Sequence, residues 1–171
     1  MDNIKNFKYK LIKNFLSKEE LEILKKYCST KLDGIWENDN QSLLAPSWYK
    51  DSLMDSFLDL KIPKMEKETG LNLLKTYAYW RYYVFGSILE NHQDRPSCEI
   101  SATVCIDKTD NWPIHMNNNW IELEEGDAVI YLGCEITHGR RPFKGDGCAQ
   151  VFLHYVDQNG PYKEYANDKR S

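Results

Sequence analysis

The chain contains 171 residues and carries a formal net charge of -4 at pH 7. A chain of this length can bury most of its apolar surface in one unit, so we predict a single domain over residues 1–171. The mild net negative charge argues against a protein that binds nucleic acids or anionic membranes through a strongly basic surface. Residues 1–8 are too charged for the core of a signal peptide, and no apolar run reaches membrane-spanning length. We therefore expect no nucleic-acid partner, no membrane partner and no export by that route.

The cysteines give a first indication of the compartment. Five are present, at Cys28, Cys98, Cys105, Cys134 and Cys148. Their number is odd, and none of the spacings is the short one of a zinc-binding pair or a small disulfide framework. The pattern predicts free thiols and favours a reducing, cytoplasmic location.

The first predicted elements are a short strand and a helix. Residues Tyr9–Leu16 favour an edge strand, and Ser17 with Glu20 has the Ser-x-x-Glu form of a capping box. Apolar residues at helical spacing then extend the helix to about Thr30. The polar stretch Lys31–Pro46 indicates a loop.

A second helical region is predicted before residue 75. An apolar stripe runs from Leu53 to Leu60, and Pro63 ends or kinks the helix because it lacks the N–H that a helix interior needs. Met65–Thr69 adds a turn or two, and Gly70 suits the helix C-terminus. We expect residues 1–74 to form helical support and a loop around a β-rich core.

Strand patterns dominate the second half of the chain. Thr76–Phe85 is dense in aromatic residues and stops at Gly86, which predicts a strand followed by a turn. Apolar runs predict further strands at Cys98–Ile106, Asp127–Leu132 and Gln150–Tyr155. Trp112–Leu123 indicates a hairpin, since the asparagines at 117–119 tolerate a tight turn. The fold class is therefore mainly β, with helices (α+β).

Three residues in this half suit a metal ion. His92-Gln93-Asp94 lies between two predicted strands, and His138 follows the apolar run that ends at Leu132. Two imidazoles and one carboxylate can bind one face of a metal and leave the other open, an arrangement suited to non-haem Fe(II) and O2 chemistry. We predict that His92, Asp94 and His138 are the metal ligands and the catalytic residues.

The order of these segments resembles the 2-oxoglutarate and Fe(II)-dependent dioxygenases of the prolyl 4-hydroxylase-like group. Residues Gly126–Tyr131 lead to His138 and then to the strand Gln150–Tyr155, and the resemblance covers residues 75–157. It implies a double-stranded β-helix, or jelly roll, with the N-terminal helices packed on the outside and a C-terminal tail over 158–171. It also implies that the three ligands bind Fe(II), with 2-oxoglutarate as co-substrate and O2 as oxidant.

One position departs from the family pattern. A basic residue near the start of the last strand binds the far carboxylate of 2-oxoglutarate in the family, but here Gly147 or Cys148 stands at that position. A buried dicarboxylate needs a cationic partner, so we expect another residue to supply it. Arg140 is our first choice because it follows His138 by two residues, which on an extended chain points it in the same direction. Its alternative interpretation is a solvated basic loop.

The predicted co-substrate site comprises Tyr82, Thr103, Arg140 and Gln150. Tyr82 precedes His92 by ten residues and matches a family tyrosine that reaches the co-substrate. Arg95 is a further candidate for the cation. The aromatic strand and the loop over 31–48 are expected to serve as walls and lid.

The remaining polar residues have simpler explanations. His115, beside the asparagine turn, is predicted to be a surface histidine outside the site. His154 either lines the cavity or is a core histidine that is hydrogen-bonded to a neighbour. Glu99 is expected to pair with Arg95 or another arginine and so to support the metal loop.

The resemblance implies an oxygenase that hydroxylates a C–H bond, with a protein or peptide as the first candidate substrate. An Fe(II) oxygenase of a free amino acid or small metabolite is the alternative within the same class. A non-catalytic, cupin-like metal-binding module is the alternative from another class, and the missing basic residue on the last strand favours it. Fold alone does not choose among these substrates, and the sequence leaves the oligomeric state open.

Overall fold

The structure is a computed structural model that describes residues 3–34, 42 and 44–168. The first part of the described chain contains, in order, α1 (Ile4–Phe7), β1 (Tyr9–Ile12), α2 (Lys18–Leu32), β2 (Ser47–Tyr49), α3 (Ser52–Leu60) and α4 (Ile62–Thr69). The second part contains β3 (Leu73–Val84), β4 (Leu89–His92), β5 (Ile100–Lys108), β6 (Ile114–Met116), β7 (Asn119–Ile121), β8 (Ala128–Leu132), β9 (His138–Arg140) and β10 (Gly147–Asp157).

These strands form two antiparallel sheets. The larger sheet has the order β1-β8-β5-β10-β3-β2, and the smaller has the order β4-β9-β6-β7. From β3 onward the chain passes repeatedly from one sheet to the other, so neighbours in sequence mostly lie in opposite layers. This alternation is the double-stranded β-helix, and it confirms the predicted jelly roll.

The helices pack against the larger sheet. The α3 and α4 helices contact β3, while α2 contacts β5. The Tyr155 hydroxyl on β10 donates to the carbonyl of Leu58 on α3 at 2.8 Å, and Trp48 stacks on Trp80 with ring centroids 3.9 Å apart. The N-terminal helices therefore pack on the outside of the jelly roll, as predicted. Within the described residues, no helix is both long enough and apolar enough to cross a membrane.

Local sequence signals determine where the helices begin and end. The Ser17 hydroxyl accepts the Glu20 N–H, and the Glu20 carboxylate accepts the Ser17 N–H, as a capping box requires. Asp51 caps α3 by accepting two backbone N–H groups. Pro63 lies in the first turn of α4, where its missing N–H costs little, and Gly70 ends that helix with a φ of 70°.

Several boundaries differ from the prediction. Strand β1 ends at Ile12 rather than Leu16, because Asn14 adopts a φ of 51° and its N–H donates to the Asp127 carboxylate. Strand β3 begins at Leu73, before the aromatic run. Most of the predicted loop over 31–46 lies outside the described residues.

All five cysteines are free thiols in this fold. Cys134 is half-buried, whereas the other four are buried. We expect alkylation of the denatured, unreduced protein to label five thiols, and brief alkylation of the native protein to label Cys134 first because the reagent must reach the sulfur. Peptide mass spectrometry measures both. Fewer than five labels after denaturation would reveal a disulfide or a second metal.

Candidate metal centre

The pairing of β4 with β9 brings His92 and His138 together. The two residues are direct partners in the antiparallel ladder, and their ring centroids lie 4.3 Å apart. Asp94 follows β4, and its N–H donates to the Gly133 carbonyl at 2.8 Å. This bond fixes Asp94 against the segment that leaves β8, so the larger sheet helps to position a ligand of the smaller one.

The donor atoms of the three side chains converge. Asp94 Oδ1 lies 3.4 Å from His92 Nε2 and 3.5 Å from His138 Nε2. Two ligands about 2.1 Å from one ion and at right angles are about 3 Å apart, so small movements place all three donors on one ion. The three predicted metal residues therefore meet in space, on one side of a possible metal position.

Backbone carbonyls orient both imidazoles. His92 Nδ1 lies 2.7 Å from the Glu90 carbonyl, and His138 Nδ1 lies 2.8 Å from the Ile136 carbonyl. A carbonyl oxygen only accepts hydrogen bonds, so each Nδ1 carries the proton. Each Nε2 lone pair is then available to a metal ion, as is typical of histidine ligands.

The carboxylate of Asp94 remains charged. Burial raises the pKa of Asp94, but the neighbouring imidazoles of His138 and His92 outweigh burial and hold this pKa well below its usual range. For His92, burial lowers the pKa, the contacts with Asp94 and Glu90 raise it overall, and the positive charge of Arg81 opposes that rise. Two imidazole nitrogens and one carboxylate fit Fe(II), and they leave half of an octahedron for other ligands.

A second group of possible donors shares Asp94 with the first. It consists of Asp94, Cys98 and His154. Its other members already have neighbours: His154 Nδ1 lies 2.8 Å from the Ser101 hydroxyl, and Cys98 Sγ lies 3.1 Å from the Tyr77 hydroxyl. Burial also raises the pKa of the Cys98 thiol, which disfavours the thiolate that a metal would need. The two-histidine group is therefore the better candidate for a metal ion.

The metal residues lie in the wall of a cavity of about 510 Å³. A volume of this order suits a small co-substrate together with part of a second substrate. Its aromatic lining consists of Tyr49, Tyr77, Tyr79, Tyr131 and Phe152. Its other lining residues, besides the metal triad, are Arg81, Leu89, Gln93, Arg95, Cys98, Ile114 and His154. The cavity thus combines an aromatic wall with the guanidinium groups of two arginines.

The C-terminal segment helps to shape this cavity. Arg95 makes two hydrogen bonds to the Asp168 carboxylate, at 2.8 and 2.6 Å, and the Tyr49 hydroxyl donates to the same carboxylate. Arg95 also lies 4.7 Å from the centre of the Tyr77 ring. The described part of the predicted tail, residues 158–168, therefore anchors two lining residues. Arg95 pairs with Asp168 and not, as one expectation had it, with Glu99, which accepts the Asp157 N–H.

The predicted co-substrate residues do not line this cavity. The Arg140 guanidinium lies over the Trp112 ring and donates to the Trp112 carbonyl. Gln150 donates to Cys148 at 3.2 Å, and Thr103 and Tyr82 are likewise absent from the described lining residues. Their roles in binding 2-oxoglutarate stay predictions.

The two histidines outside the proposed ligand set have the surroundings that the sequence suggested. His115 packs on Trp120 with ring centroids 4.8 Å apart and is not among the residues that line the metal cavity. His154 satisfies both of its interpretations, since it lines the cavity and lies against Ser101. Arg81 was missed, although alternation along β3 places it on the same face as Tyr77 and Tyr79.

Comparison with known proteins finds solved structures that have the same architecture. No protein-family model and no curated protein matches the sequence. A prolyl-4-hydroxylase from Pseudomonas putida matches in structure with a TM-score of 0.72 and 14% identity, over 90% of this chain and 95% of that chain. The chain shares its fold.

Two further structures extend the likeness. The viral collagen prolyl hydroxylase of Paramecium Bursaria Chlorella virus-1, solved as a 2-oxoglutarate complex, has a TM-score of 0.67 and 13% identity, over 86% of this chain and 94% of that one. HygX from Streptomyces hygroscopicus was solved with nickel, 2-oxoglutarate and hygromycin B bound. It has a TM-score of 0.68 and 10% identity, over 89% of this chain and 84% of that chain. At these identities the likeness concerns the fold alone.

A matched pair of variants tests the ligand assignment. His138→Ala removes one of three converging donors and should abolish tight binding of one Mn(II), used in place of Fe(II). His115→Ala should leave binding unchanged because His115 packs on Trp120. Electron paramagnetic resonance of free Mn(II) measures both affinities, and equal losses would contradict the assignment.

Gly133 provides a second test of the same centre. A Cβ at this position would overlap the Cys98 carbonyl oxygen and lie 2.6 Å from Asp94 Oδ2. Gly133→Ala should displace the carboxylate and weaken Mn(II) binding by about tenfold or more, as expected for groups that orient a ligand. Gly34→Ala is the control, since among the described residues the nearest atom to its added Cβ would be the Lys31 carbonyl oxygen, 3.4 Å away. Titration, with circular dichroism to verify folding, should show no loss in the control and a clear loss in Gly133→Ala.

Proposed function

We propose that this protein is a non-haem Fe(II) and 2-oxoglutarate-dependent dioxygenase that hydroxylates a C–H bond. The observation that carries the proposal is the convergence of His92 Nε2, His138 Nε2 and Asp94 Oδ1 on one side of the cavity. A structural metal site is normally closed by four protein ligands, whereas three ligands on one face leave positions for exchangeable groups. The compared structures solved with 2-oxoglutarate support this function.

Fe(II) would be held by His92, Asp94 and His138. When bound, the ion and 2-oxoglutarate supply the O2-dependent oxidation that amino-acid side chains cannot perform by themselves. The charge of Asp94 would compensate part of the charge of the ion, and the backbone carbonyls keep both imidazoles in the required tautomer. These residues orient the reacting groups, because their positions are fixed by the strand pairing before any ligand enters.

Other residues of the cavity limit the access of water and the positive charge near the metal position. Burial lowers the pKa of His154 to about 4, so this histidine stays neutral and adds no positive charge beside the metal position. The ring of Tyr131 is buried and packs on His138 with centroids 4.7 Å apart. Such an aromatic lining limits the access of water to a reactive centre.

We infer a protein or peptide as the primary substrate. Two compared proteins are prolyl hydroxylases, and the partly exposed ring of Tyr49 at the cavity offers apolar contact to an extended chain. A free amino acid or small metabolite is the second candidate, supported by the HygX complex with hygromycin B. A ratio of kcat/KM values for a peptide and its free amino acid separates the two. We also propose a cytoplasmic location, which the five free thiols support.

Anaerobic titration tests the proposed activity directly. Adding Fe(II) and then 2-oxoglutarate to the protein should produce a visible metal-to-ligand charge-transfer band, because a 2-oxo acid would chelate the ion through the open positions. His138→Ala should give no band. A protein that binds Mn(II) but shows neither this band nor 2-oxoglutarate-dependent O2 consumption would be the cupin-like binding module instead.

A further inference from the structure

The C-terminal segment (residues 158–168) contacts the wall of the metal cavity through Asp168. None of residues 158–167 is buried, whereas Asp168 is only 3% exposed. A stretch of chain with few buried apolar contacts opens locally at a low free-energy cost. The attachment of this end of the segment therefore depends largely on the polar contacts of residues 167 and 168.

The backbone of these two residues is held by hydrogen bonds in an unusual conformation. The Lys50 ammonium donates to the carbonyls of Asn167 and Asp168, at 3.2 and 2.8 Å, and the Asn167 N–H donates to the Lys75 carbonyl at 2.8 Å. Asn167 and Asp168 have φ angles of 62° and 32°, in a region that residues other than glycine rarely adopt. The side-chain contacts of Asp168 therefore have to offset an unfavourable backbone conformation.

The Asp168 carboxylate lies in a ready-made anion site. Arg95 Nη1 and Nη2 donate to its two oxygens at 2.8 and 2.6 Å, and the Tyr49 hydroxyl donates to one of them. The Arg95 guanidinium also lies 4.7 Å from the centre of the Tyr77 ring. A planar guanidinium that offers two parallel N–H groups, with a phenol hydroxyl beside it, matches the geometry of a carboxylate.

The donors of this site belong to the metal cavity. Arg95 and Tyr49 both line it, and Arg95 directly follows the proposed ligand Asp94. Other ion pairs, such as those of Lys10 with Glu68 and Lys75 with Asp59, involve no residue of the described cavity lining. Asp168 thus shows that the wall beside the metal position accepts a carboxylate.

We propose that Arg95 and Tyr49 form a subsite for a carboxylate group of the primary substrate, and that Asp168 occupies this subsite until the substrate replaces it. The inference rests on the proposed function and names a feature of its substrate, an acidic group near the C–H bond that is oxidised. One carboxylate replaces another in this exchange, so the charge of Arg95 stays compensated in both states. Arg95 is then a specificity-determining residue, and the C-terminal segment competes with the substrate.

The test uses two probes that differ only in charge. Calorimetry compares N-acetyl-aspartate α-amide, which has one carboxylate, with N-acetyl-asparagine α-amide, on protein loaded with Mn(II) and saturating 2-oxoglutarate. Asp168→Asn weakens the internal competitor and keeps a residue that tolerates positive φ. A tethered group competes at an effective concentration in the millimolar range, so this variant should bind the acidic probe about tenfold more tightly than the wild-type protein.

The dependence on Arg95 is measured in the same background. Asp168→Asn should prefer the acidic probe over the amide probe by about tenfold or more, as expected for charged hydrogen bonds. Adding Arg95→Gln should abolish this preference, while the affinities for Mn(II) and 2-oxoglutarate stay unchanged. Glu164→Gln is the matched control, because it removes an exposed carboxylate from the same segment and should bind both probes as the wild-type protein does.

Hydrogen exchange of the wild-type protein provides a second measurement if circular dichroism shows that Asp168→Asn does not fold. The acidic probe should accelerate exchange of the Asn167 amide, which is bonded to the Lys75 carbonyl, whereas the amide probe should not. Unchanged exchange would then overturn the inference.

Three other outcomes have distinct meanings. A folded Asp168→Asn variant without a preference for the acidic probe would make Asp168 a purely structural clamp and overturn the inference. An Arg95→Gln substitution that abolishes 2-oxoglutarate binding would assign this arginine to the co-substrate, and it too would overturn the inference while leaving the proposed function intact. A wild-type protein that binds Mn(II) but no 2-oxoglutarate would remove the proposed function and the inference with it.

Discussion

The antiparallel pairing of β4 with β9 sets the distance between the two histidines. His92 and His138 are opposite each other in this ladder, and a register irregularity separates them from the Leu89 and Arg140 pair. The third ligand depends on the other sheet, because the Asp94 N–H is bonded to Gly133 after β8. The centre therefore exists only while the two sheets are closed on each other, and the core residues that hold the sheets together also hold the donors together.

Electrostatics make this arrangement useful only with a bound cation. Asp94 is largely shielded from solvent and negatively charged, and its partners are imidazoles whose Nδ1 protons point away toward backbone carbonyls. Burial of a carboxylate costs several kcal/mol unless opposite charge compensates it. A divalent ion at the three donors would supply that charge.

Long elements were predictable from the sequence, whereas short ones were predictable only where a turn or cap marked them. Strands β3, β5, β8 and β10 carry continuous apolar or aromatic runs, and the spacing of His92, Asp94 and His138 identified the candidate ligands. Strands β2 and β9 have three residues each, too few for periodicity, and exist because a partner strand lies beside them. The equally short β6 and β7 were predicted as a hairpin only because the asparagine turn between them gave a local signal. Arg81 escaped prediction because a spacing to His92 pointed to Tyr82, its neighbour on the opposite face.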